Sequence, residues 1–258
     1  MTSVLVTGGT GTLGRDVVKQ LRETGHRARV FSRQPGIRED WAQGDLATGE
    51  GLDRALDGMD AIIHAGSAAR EPWKIRATDV EGTRKLLIAA NRAGIKHVVY
   101  ISIVGMEGVA YRYYREKLAA EKIVRGDIAP WSILRATQFH TLMEYFLSML
   151  SRTPLFATIP SGWQFQPVDT RDVAARLVQI ATSEPAGMLP DFGGPEIRRF
   201  RSLAVSWLEA RRIKKRIVNL PVPLRLSRQV AAGRLLCPEH KDGTITFEQY
   251  LTRRYGRW

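Results

Sequence analysis

The chain has 258 residues, of which 44% are hydrophobic and 8% aromatic. It is therefore long enough to bury a large core and too apolar to be extensively disordered. The single cysteine, Cys237, excludes an internal disulfide framework and a cysteine-based metal site. The net charge of +13 is concentrated in residues 198–258, which hold 15 Lys/Arg against 4 Asp/Glu. This asymmetry is typical of a docking face, of a nucleic-acid surface or of a positive electrostatic field that attracts an anionic ligand. It is equally typical of a solvated surface with no partner.

The sequence gives no indication of a membrane span. The longest stretch without a charge, residues 153–168, contains three prolines and a glycine, so we predict a loop there and not a spanning helix. The N-terminus enters an apolar strand directly, without a basic region or a small-residue cleavage site. We therefore expect a cytoplasmic protein with no membrane partner.

Short apolar runs alternate with longer amphipathic runs over the first 135 residues. The predicted strands are 4–6, 28–32, 41–44, 61–64, 97–102 and 131–134. The predicted helices between them are 13–22, 78–93 and 113–125. Strands separated by such helices indicate an α/β fold with a doubly wound parallel sheet. Beyond residue 135 the alternation loosens, with predicted helices over 137–150, 172–182 and 203–212. We expect a nucleotide-binding domain over 1–135 and a small C-terminal lobe over 136–258, interleaved with the last sheet elements.

A glycine-rich turn follows the first predicted strand and opens the first predicted helix. It comprises Thr7, Gly8, Gly9, Thr10, Gly11, Thr12, Leu13 and Gly14. Glycines allow a tight turn and a close approach of the backbone to a pyrophosphate, and the helix N-terminus supplies free amides and partial positive charge. The turn therefore predicts dinucleotide binding, with a purely structural turn as the alternative.

The end of the second predicted strand indicates which dinucleotide is preferred. Dinucleotide folds that select NAD usually place a carboxylate there for the ribose 2′-hydroxyl, whereas this chain has Ser32 and Arg33. A guanidinium can pair bidentately with a 2′-phosphate. We therefore expect NADP(H) to be preferred, with NAD(H) possible. The alternative is that Arg33 stacks on the adenine or faces solvent.

Several short motifs together resemble a known family: the glycine-rich turn, residues 44–46, 64–67, 79–83 and 100–102. The set is similar to the atypical and extended short-chain dehydrogenase/reductases, and more closely to the NmrA-like NAD(P)H-binding group. The resemblance implies a Rossmann-type fold in which Asp45 and Leu46 contact the adenine. It also implies that Ala65, Gly66 and Ser67 line the path of the ribose and pyrophosphate. Asp79 stands where the family has Asn, so its role is left open.

Three residues match the order of the family's catalytic set: Ser102, Tyr113 and Lys117. Tyr113 and Lys117 stand four residues apart in a predicted helix and so project from one face. A nearby ammonium stabilises a tyrosinate, which suits proton transfer, and Lys117 would also contact the cofactor. Ser102 could orient the substrate oxygen. The alternatives are that Tyr113 packs with Tyr111 and Tyr114, or that the chain binds the cofactor without turnover, as some NmrA-like proteins do.

Aromatic and flexible apolar residues after residue 135 suggest a substrate pocket. The candidates are Phe139, His140, Met143, Phe146, Trp163 and Phe165. Such walls suit a flat hydrophobic carbonyl compound such as a quinone or an aromatic polyketide. Simple packing of the lobe is the alternative for each residue, and His140 could be either a second proton donor or an ordinary packing residue. The five histidines show no spacing typical of a metal site.

The sequence thus predicts an NADP(H)-dependent oxidoreductase that reduces a small hydrophobic carbonyl or quinone, with Tyr113 as proton donor. A non-catalytic NAD(P)H-sensing regulator is the main alternative. Epimerisation, dehydration and oxygen-dependent tailoring on the same fold stay open, and nucleic-acid binding by the basic lobe is disfavoured because no DNA-binding motif is present there. The sequence leaves the oligomeric state undetermined.

Overall fold

The computed structural model describes residues 1–36, 40–222 and 225–256. The chain divides into two compact units. The first, called the sheet unit, comprises Met1–Ser102, Arg112–Arg135 and Val173–Pro190. The second, called the C-terminal unit, comprises Ile103–Tyr111, Ala136–Asp172 and Asp191–Trp258.

The strands and helices follow one another along the chain as follows. The strands are β1 (Ser3–Thr7), β2 (Arg27–Ser32), β3 (Trp41–Gln43), β4 (Ala61–His64), β5 (His97–Ile103), β6 (Trp131–Ala136), β7 (Phe156–Ile159), β8 (Gln164–Phe165), β9 (Gly187–Met188), β10 (Arg198–Arg199) and β11 (Arg216–Asn219). The α-helices are α1 (Thr12–Glu23), α2 (Leu52–Leu56), α3 (Gly82–Arg92), α4 (Arg112–Arg125), α5 (His140–Leu150), α6 (Thr170–Ala181), α7 (Phe200–Ala210), α8 (Arg225–Ala231) and α9 (Phe247–Tyr255). A π-helical segment, Arg76–Glu81, leads into α3, and a 3₁₀ turn spans Met106–Gly108.

The sheet unit is built on a seven-stranded sheet with the order β3-β2-β1-β4-β5-β6-β9. β1 pairs in parallel with β2 on one side and with β4 on the other, so the strand order reverses at β1. Every residue of β1 and β4 is buried, as expected for parallel strands covered on both faces. The predicted α/β fold with a doubly wound, Rossmann-type parallel sheet is confirmed.

The register of this sheet brings the carboxyl ends of the central strands to one level. Thr7 pairs with Phe31 of β2 and with His64 of β4, and His64 pairs with Tyr100 of β5. In open α/β sheets, ligands bind outside the carboxyl ends of the strands where the order reverses. The chain segments that follow Thr7, Ser32, His64 and Tyr100 therefore define the edge at which a ligand is expected.

The C-terminal unit contains two small sheets and four helices in its described part. β8 pairs antiparallel with β10, and β7 pairs in parallel with β11. Residues 153–168 were predicted to be a loop but contain β7 and β8. The three prolines and the glycine of this segment lie outside both strands and therefore do not interrupt them. The core of the unit includes the fully buried side chains of Phe200, Leu203 and Trp207 on α7. Among the described helices, none is long and apolar enough to cross a membrane.

Candidate functional site

The glycine-rich turn has the shape of a phosphate cradle. Gly8 has a φ of +68°, and a Cβ there would lie 2.7 Å from the carbonyl oxygen of Ala65. A Cβ at Gly14 would lie 2.1 Å from the oxygen of Gly8, so helix α1 can approach the turn only without a side chain at this position. Helix α1 begins at Thr12, and its N-cap residue Gly11 has no side chain that could accept hydrogen bonds from the first amides of the helix. The first amides of α1 are thus open to an anion, and the turn fits a dinucleotide pyrophosphate.

The other residues predicted to contact the cofactor lie along the same edge of the sheet unit. Leu46 is buried against Gly66, where a Cβ would lie 2.5 Å from Leu46 Cδ1. Asp45 is half-buried, and its Oδ1 accepts a hydrogen bond of 2.9 Å from the amide of Ala47. Of the remaining predicted residues, Gly9 and Leu13 are buried, Gly8, Thr12 and Ala65 are half-buried, and Thr10, Gly11 and Ser67 are exposed.

A buried hydrogen-bonded relay lies directly beneath the turn. Thr7 Oγ1 accepts from the amide of Gly66 at 3.1 Å and lies 2.7 Å from His64 Nδ1. His64 Nε2 lies 2.9 Å from Thr83 Oγ1, which donates to the carbonyl oxygen of Asp79 at 2.6 Å. Because the Thr83 hydroxyl proton is directed at Asp79, Nε2 must carry the imidazole proton and donate it to Thr83. Thr7 then donates to Nδ1, so the donor and the acceptor of every hydrogen bond in the relay are fixed.

The protonation state of His64 agrees with this relay. Complete burial, together with the positive charge of Lys117, lowers the pKa of His64 to about 3. The imidazole is therefore neutral at physiological pH and has one tautomer. The relay connects the end of β1, the end of β4 and the start of α3, and its first residue, Thr7, is also the first residue of the glycine-rich turn. Sequence reasoning missed Thr83 and the role of His64, since only the strand register brings these residues together.

Helix α4 carries the two candidate catalytic side chains across the ends of β4 and β5. Tyr113 is half-buried, and its Oη lies within hydrogen-bond distance of Ser67 Oγ, at 3.2 Å, in the segment after β4. Lys117, one helical turn later, is buried, and its Nζ donates to the carbonyl oxygen of Ile101 in β5 at 3.1 Å. One face of α4 thus meets the carboxyl ends of two adjacent strands.

The surroundings of Lys117 weaken its hold on a proton. Burial lowers the pKa of Lys117 to about 8, against the opposing effect of the Asp79 and Glu121 carboxylates. Its Nζ also lies 4.1 Å from the centroid of the Tyr100 ring. Burial, with Asp79 as the next cause, raises the pKa of Tyr100 well above its usual value, so this phenol stays neutral. Lys117 is consequently a cation at this edge whose pKa lies close to physiological pH.

Besides Tyr100 Oη, two buried polar atoms near these residues have no hydrogen-bond partner within the described part of the chain. One is Ser102 Oγ, one residue after the carbonyl that Lys117 contacts. The other is Oδ1 of Asp79, whose Oδ2 accepts from the amide of Ala68 at 2.9 Å. Buried polar groups are nearly always paired, so unsatisfied atoms at the predicted edge fit a polar ligand that supplies partners. Asp79, whose role the sequence left open, thus anchors the segment that follows β4.

The side chain of Arg33 lies at an open cleft at the ends of β2 and β3. The cleft has a volume of about 310 Å³ and is lined by Arg33, Gln43, Gly44, Asp45, Glu50 and Arg54. Arg33 is exposed and contacts Glu71 at 3.4 Å. Ser32 Oγ accepts from the amide of Gln34 at 3.1 Å. The cleft therefore presents two guanidinium groups beside two carboxylates.

The residues proposed to bind substrate all belong to the C-terminal unit. His140, Met143 and Phe165 are buried, whereas Phe139, Phe146 and Trp163 are half-buried. His140 Nε2 donates to the carbonyl oxygen of Ile245 at 2.9 Å, and burial lowers the pKa of this imidazole. Phe165 makes edge contacts with Trp163 and Phe200. Packing thus accounts for the three buried residues, and contact with a substrate stays a prediction for the whole set.

Comparison with known proteins identifies the family. Residues 8–184 match the model of the NAD(P)H-binding family. A ceramide reductase from Caulobacter vibrioides is 27% identical over 242 residues, which cover 85% of this chain and 74% of that protein. A photosystem II assembly factor, Ycf39 from Synechocystis, is 38% identical over 109 residues, which cover 39% of this chain and 33% of that protein.

Solved structures agree with the fold. A short-chain dehydrogenase/reductase superfamily protein from Agrobacterium tumefaciens, solved with bound NAD, superposes with a TM-score of 0.73 over 97% of this chain and 95% of that chain, at 22% identity. The described residues contain no group of three His, Cys, Asp or Glu side chains that could hold a metal ion. The family match, the sheet topology and the glycine cradle agree on a nicotinamide dinucleotide as cofactor. The chain belongs to the NAD(P)H-binding family.

Proposed function

We propose that the protein is an NADP(H)-dependent reductase of a hydrophobic carbonyl or quinone. The observation that carries this proposal is the placement of α4, which sets Tyr113 Oη beside Ser67 and Lys117 Nζ beside Ile101. These contacts lie where a parallel sheet of this order binds its ligands. With its pyrophosphate at the glycine-rich turn, the reduced dinucleotide would supply a hydride from its nicotinamide.

Each candidate residue has one chemical task in this proposal. Tyr113 donates a proton from Oη to the oxygen of the substrate carbonyl as negative charge develops there. Lys117, positively charged below a pKa of about 8, stabilises the tyrosinate left behind. Ser102 Oγ donates a hydrogen bond to the same substrate oxygen and thereby gains the partner that it lacks among the described residues.

Substitution of Tyr113 by phenylalanine tests the proton donor. Removal of a general acid costs about 10²- to 10⁴-fold in rate, so Tyr113→Phe should lose that much kcat while the Kd for NADPH changes less than about twofold. Menadione and an aromatic ketone serve as substrates, with NADPH oxidation followed by absorbance. Tyr114→Phe, one residue along the same helix, is the matched control. Full turnover by Tyr113→Phe would refute this assignment.

The preference for NADP(H) rests on Arg33. Its guanidinium is exposed at the cleft beside the end of β2, where a 2′-phosphate would be expected. Asp45 and Glu50 line the same cleft, so the guanidinium groups of Arg33 and Arg54 must outweigh two carboxylates. A charge-assisted hydrogen bond of about 1.5–3 kcal/mol corresponds to a tenfold to hundredfold effect on affinity.

Titration of both cofactors against Arg33→Ala tests this preference. We expect NADPH affinity to fall at least about tenfold and NADH affinity to change less than about twofold. Arg27→Ala is the matched control, because Arg27 is exposed at the amino end of the same strand. Equal losses for NADPH and NADH would show that Arg33 does not read the 2′-phosphate.

A hydrophobic substrate is supported by two observations. The relative from Caulobacter vibrioides is a ceramide reductase. In the C-terminal unit, Phe139, Phe146 and Trp163 are half-buried and so retain surface that an apolar compound could cover. We assign them to substrate binding on this basis. Single alanine variants should raise KM for menadione while leaving NADPH affinity unchanged.

A second candidate function is cofactor sensing without turnover. The partial match to a photosystem II assembly factor favours it, since that relative is named for assembly and not for a reaction. Purified protein that binds NADPH but oxidises none with any member of a carbonyl and quinone panel would favour the sensor. NADPH oxidation that depends on Tyr113 would exclude it.

A further inference from the structure

The small sheet formed by β7 and β11 presents apolar side chains to solvent. Leu155 is 69% exposed, and Phe156 and Val218 are each 42% exposed. Phe156 pairs with Arg216, and Val218 follows Arg216 by two residues, so Phe156, Arg216 and Val218 lie on the same face. Leu155 immediately precedes Phe156 at the start of β7. Leu220, two residues further, is also exposed and continues the ladder through its amide to the oxygen of Ile159. We call this face, with its flanking cations, the β7–β11 patch.

Positive charge lies beside Leu155 and Phe156. Residues 211–216 include five Lys/Arg, and no Asp or Glu occurs between residues 210 and 238. Lys214, Lys215 and Arg216 line a cleft of about 550 Å³ together with Leu155 and Phe156. Lys215 is engaged with the carbonyl oxygens of residues 151 and 153. Lys214 and Arg216 have no carboxylate within salt-bridge distance in the described chain.

This combination distinguishes between possible partners. An acidic protein segment or a nucleic acid would neutralise Lys214 and Arg216 but would leave Leu155 and Phe156 in water. The interface of an anionic bilayer accepts both, because apolar side chains enter the acyl boundary while Lys and Arg reach the headgroups. Single exposed apolar residues need no explanation, but adjacent ones that share a cleft with several cations are typical of a membrane contact.

We propose that the β7–β11 patch docks the protein peripherally on a membrane surface that contains anionic lipids, with Leu155 and Phe156 inserted and Lys214 and Arg216 at the headgroups. Such docking requires no spanning helix. It departs from the sequence-based expectation of no membrane partner, which considered only spans. The inference does not depend on the proposed reaction, since it uses no residue of the sheet unit.

Sedimentation with vesicles tests this inference on the full chain. The protein should bind vesicles of equal parts phosphatidylglycerol and phosphatidylcholine, and should not bind pure phosphatidylcholine. Each cation near an anionic surface contributes about fivefold to partitioning, so the double variant Lys214→Glu/Arg216→Glu should bind at least about 25-fold more weakly. Leu155→Ser/Phe156→Ser should lose at least about tenfold, because less apolar surface leaves water.

Matched variants on the sheet unit separate this patch from net charge and from general surface hydrophobicity. Lys122→Glu/Arg125→Glu makes the same charge change on exposed positions of α4, and Ile128→Ser removes a side chain that is 92% exposed. Both should bind mixed vesicles as the wild type does. Absence of binding by the wild type, or equal losses in the control variants, would overturn the proposal. Loss on charge reversal but none in Leu155→Ser/Phe156→Ser would also overturn it, because it would show a purely electrostatic attraction to the lipid without insertion of the apolar side chains.

Discussion

Replacement of Thr7 by valine keeps the shape of the side chain and removes the hydroxyl at one end of the buried relay. The amide of Gly66 then loses its acceptor at 3.1 Å, and His64 Nδ1 loses its partner at 2.7 Å. Both atoms are buried, so water cannot replace the lost partner without rearrangement. An unsatisfied buried group costs about 1–3 kcal/mol. Two such groups lower the free energy of unfolding by about 2–6 kcal/mol.

Urea denaturation at pH 7 measures this loss, with Thr2→Val as a matched control whose hydroxyl takes no part in the relay. Thr83→Val cuts the other end of the same relay by leaving His64 Nε2 without an acceptor. Because both variants act on one imidazole, the double variant should be non-additive by about 0.5–3 kcal/mol. A loss below about 1 kcal/mol in Thr7→Val, or strict additivity with Thr83→Val, would show that the relay is not a coupled unit.

The remaining predictions concern three buried charged or titratable groups. His64 has a pKa of about 3 when folded and 6.5 when unfolded, so its neutral form stabilises the fold fully above pH 6.5 and this stabilisation is lost as pH falls. At about 1.36 kcal/mol per pH unit, the free energy of unfolding should fall by about 2 kcal/mol between pH 7 and 5. Urea denaturation of His64→Gln should lack that part of the pH dependence. Asp79→Asn removes a carboxylate that raises the pKa of Lys117, so that pKa should fall below about 8 when followed by NMR of the labelled lysine, and an unchanged value would contradict the coupling. Arg135→Met leaves Glu121, otherwise paired at 2.6 Å, buried alone, which should cost about 3–5 kcal/mol by denaturation; adding Glu121→Leu should restore much of it, and failure to do so would refute the ion-pair explanation.

Most of the sheet could be predicted from the sequence, because each long parallel strand is an apolar run bounded by an amphipathic helix. β1, β2, β4, β5 and β6 all lie at predicted positions. The two small sheets were missed, because β8 and β10 have only two residues each and β7 lies in the segment with three prolines and a glycine that was predicted to be a loop. The predicted helix over 78–93 begins with a π-helical segment, which residue periodicity alone does not distinguish from an α-helix.

The site could be predicted only in part, for a related reason. The glycine-rich turn is a local motif, and the close approach of Gly14 to Gly8 lies within it, whereas the approach of Gly8 to Ala65 depends on the sheet. The relay is not local: Thr7, His64 and Thr83 come from three segments, and only strand register places them in contact. A threonine and a histidine at the ends of two predicted parallel strands, β1 and β4, were the available indication. The role of Asp79 likewise required its contact with the amide of Ala68.

Calorimetric titration with NADPH measures whether a nicotinamide dinucleotide binds at the glycine-rich turn. The wild type should show saturable binding with one site per chain. Gly11→Ala should weaken binding at least about tenfold while the protein still unfolds cooperatively, because the added Cβ lies only 3.0 Å from the Gly8 oxygen and crowds the open N-terminus of α1. No binding by the folded wild type, or equal binding by Gly11→Ala, would show that the turn does not hold a dinucleotide.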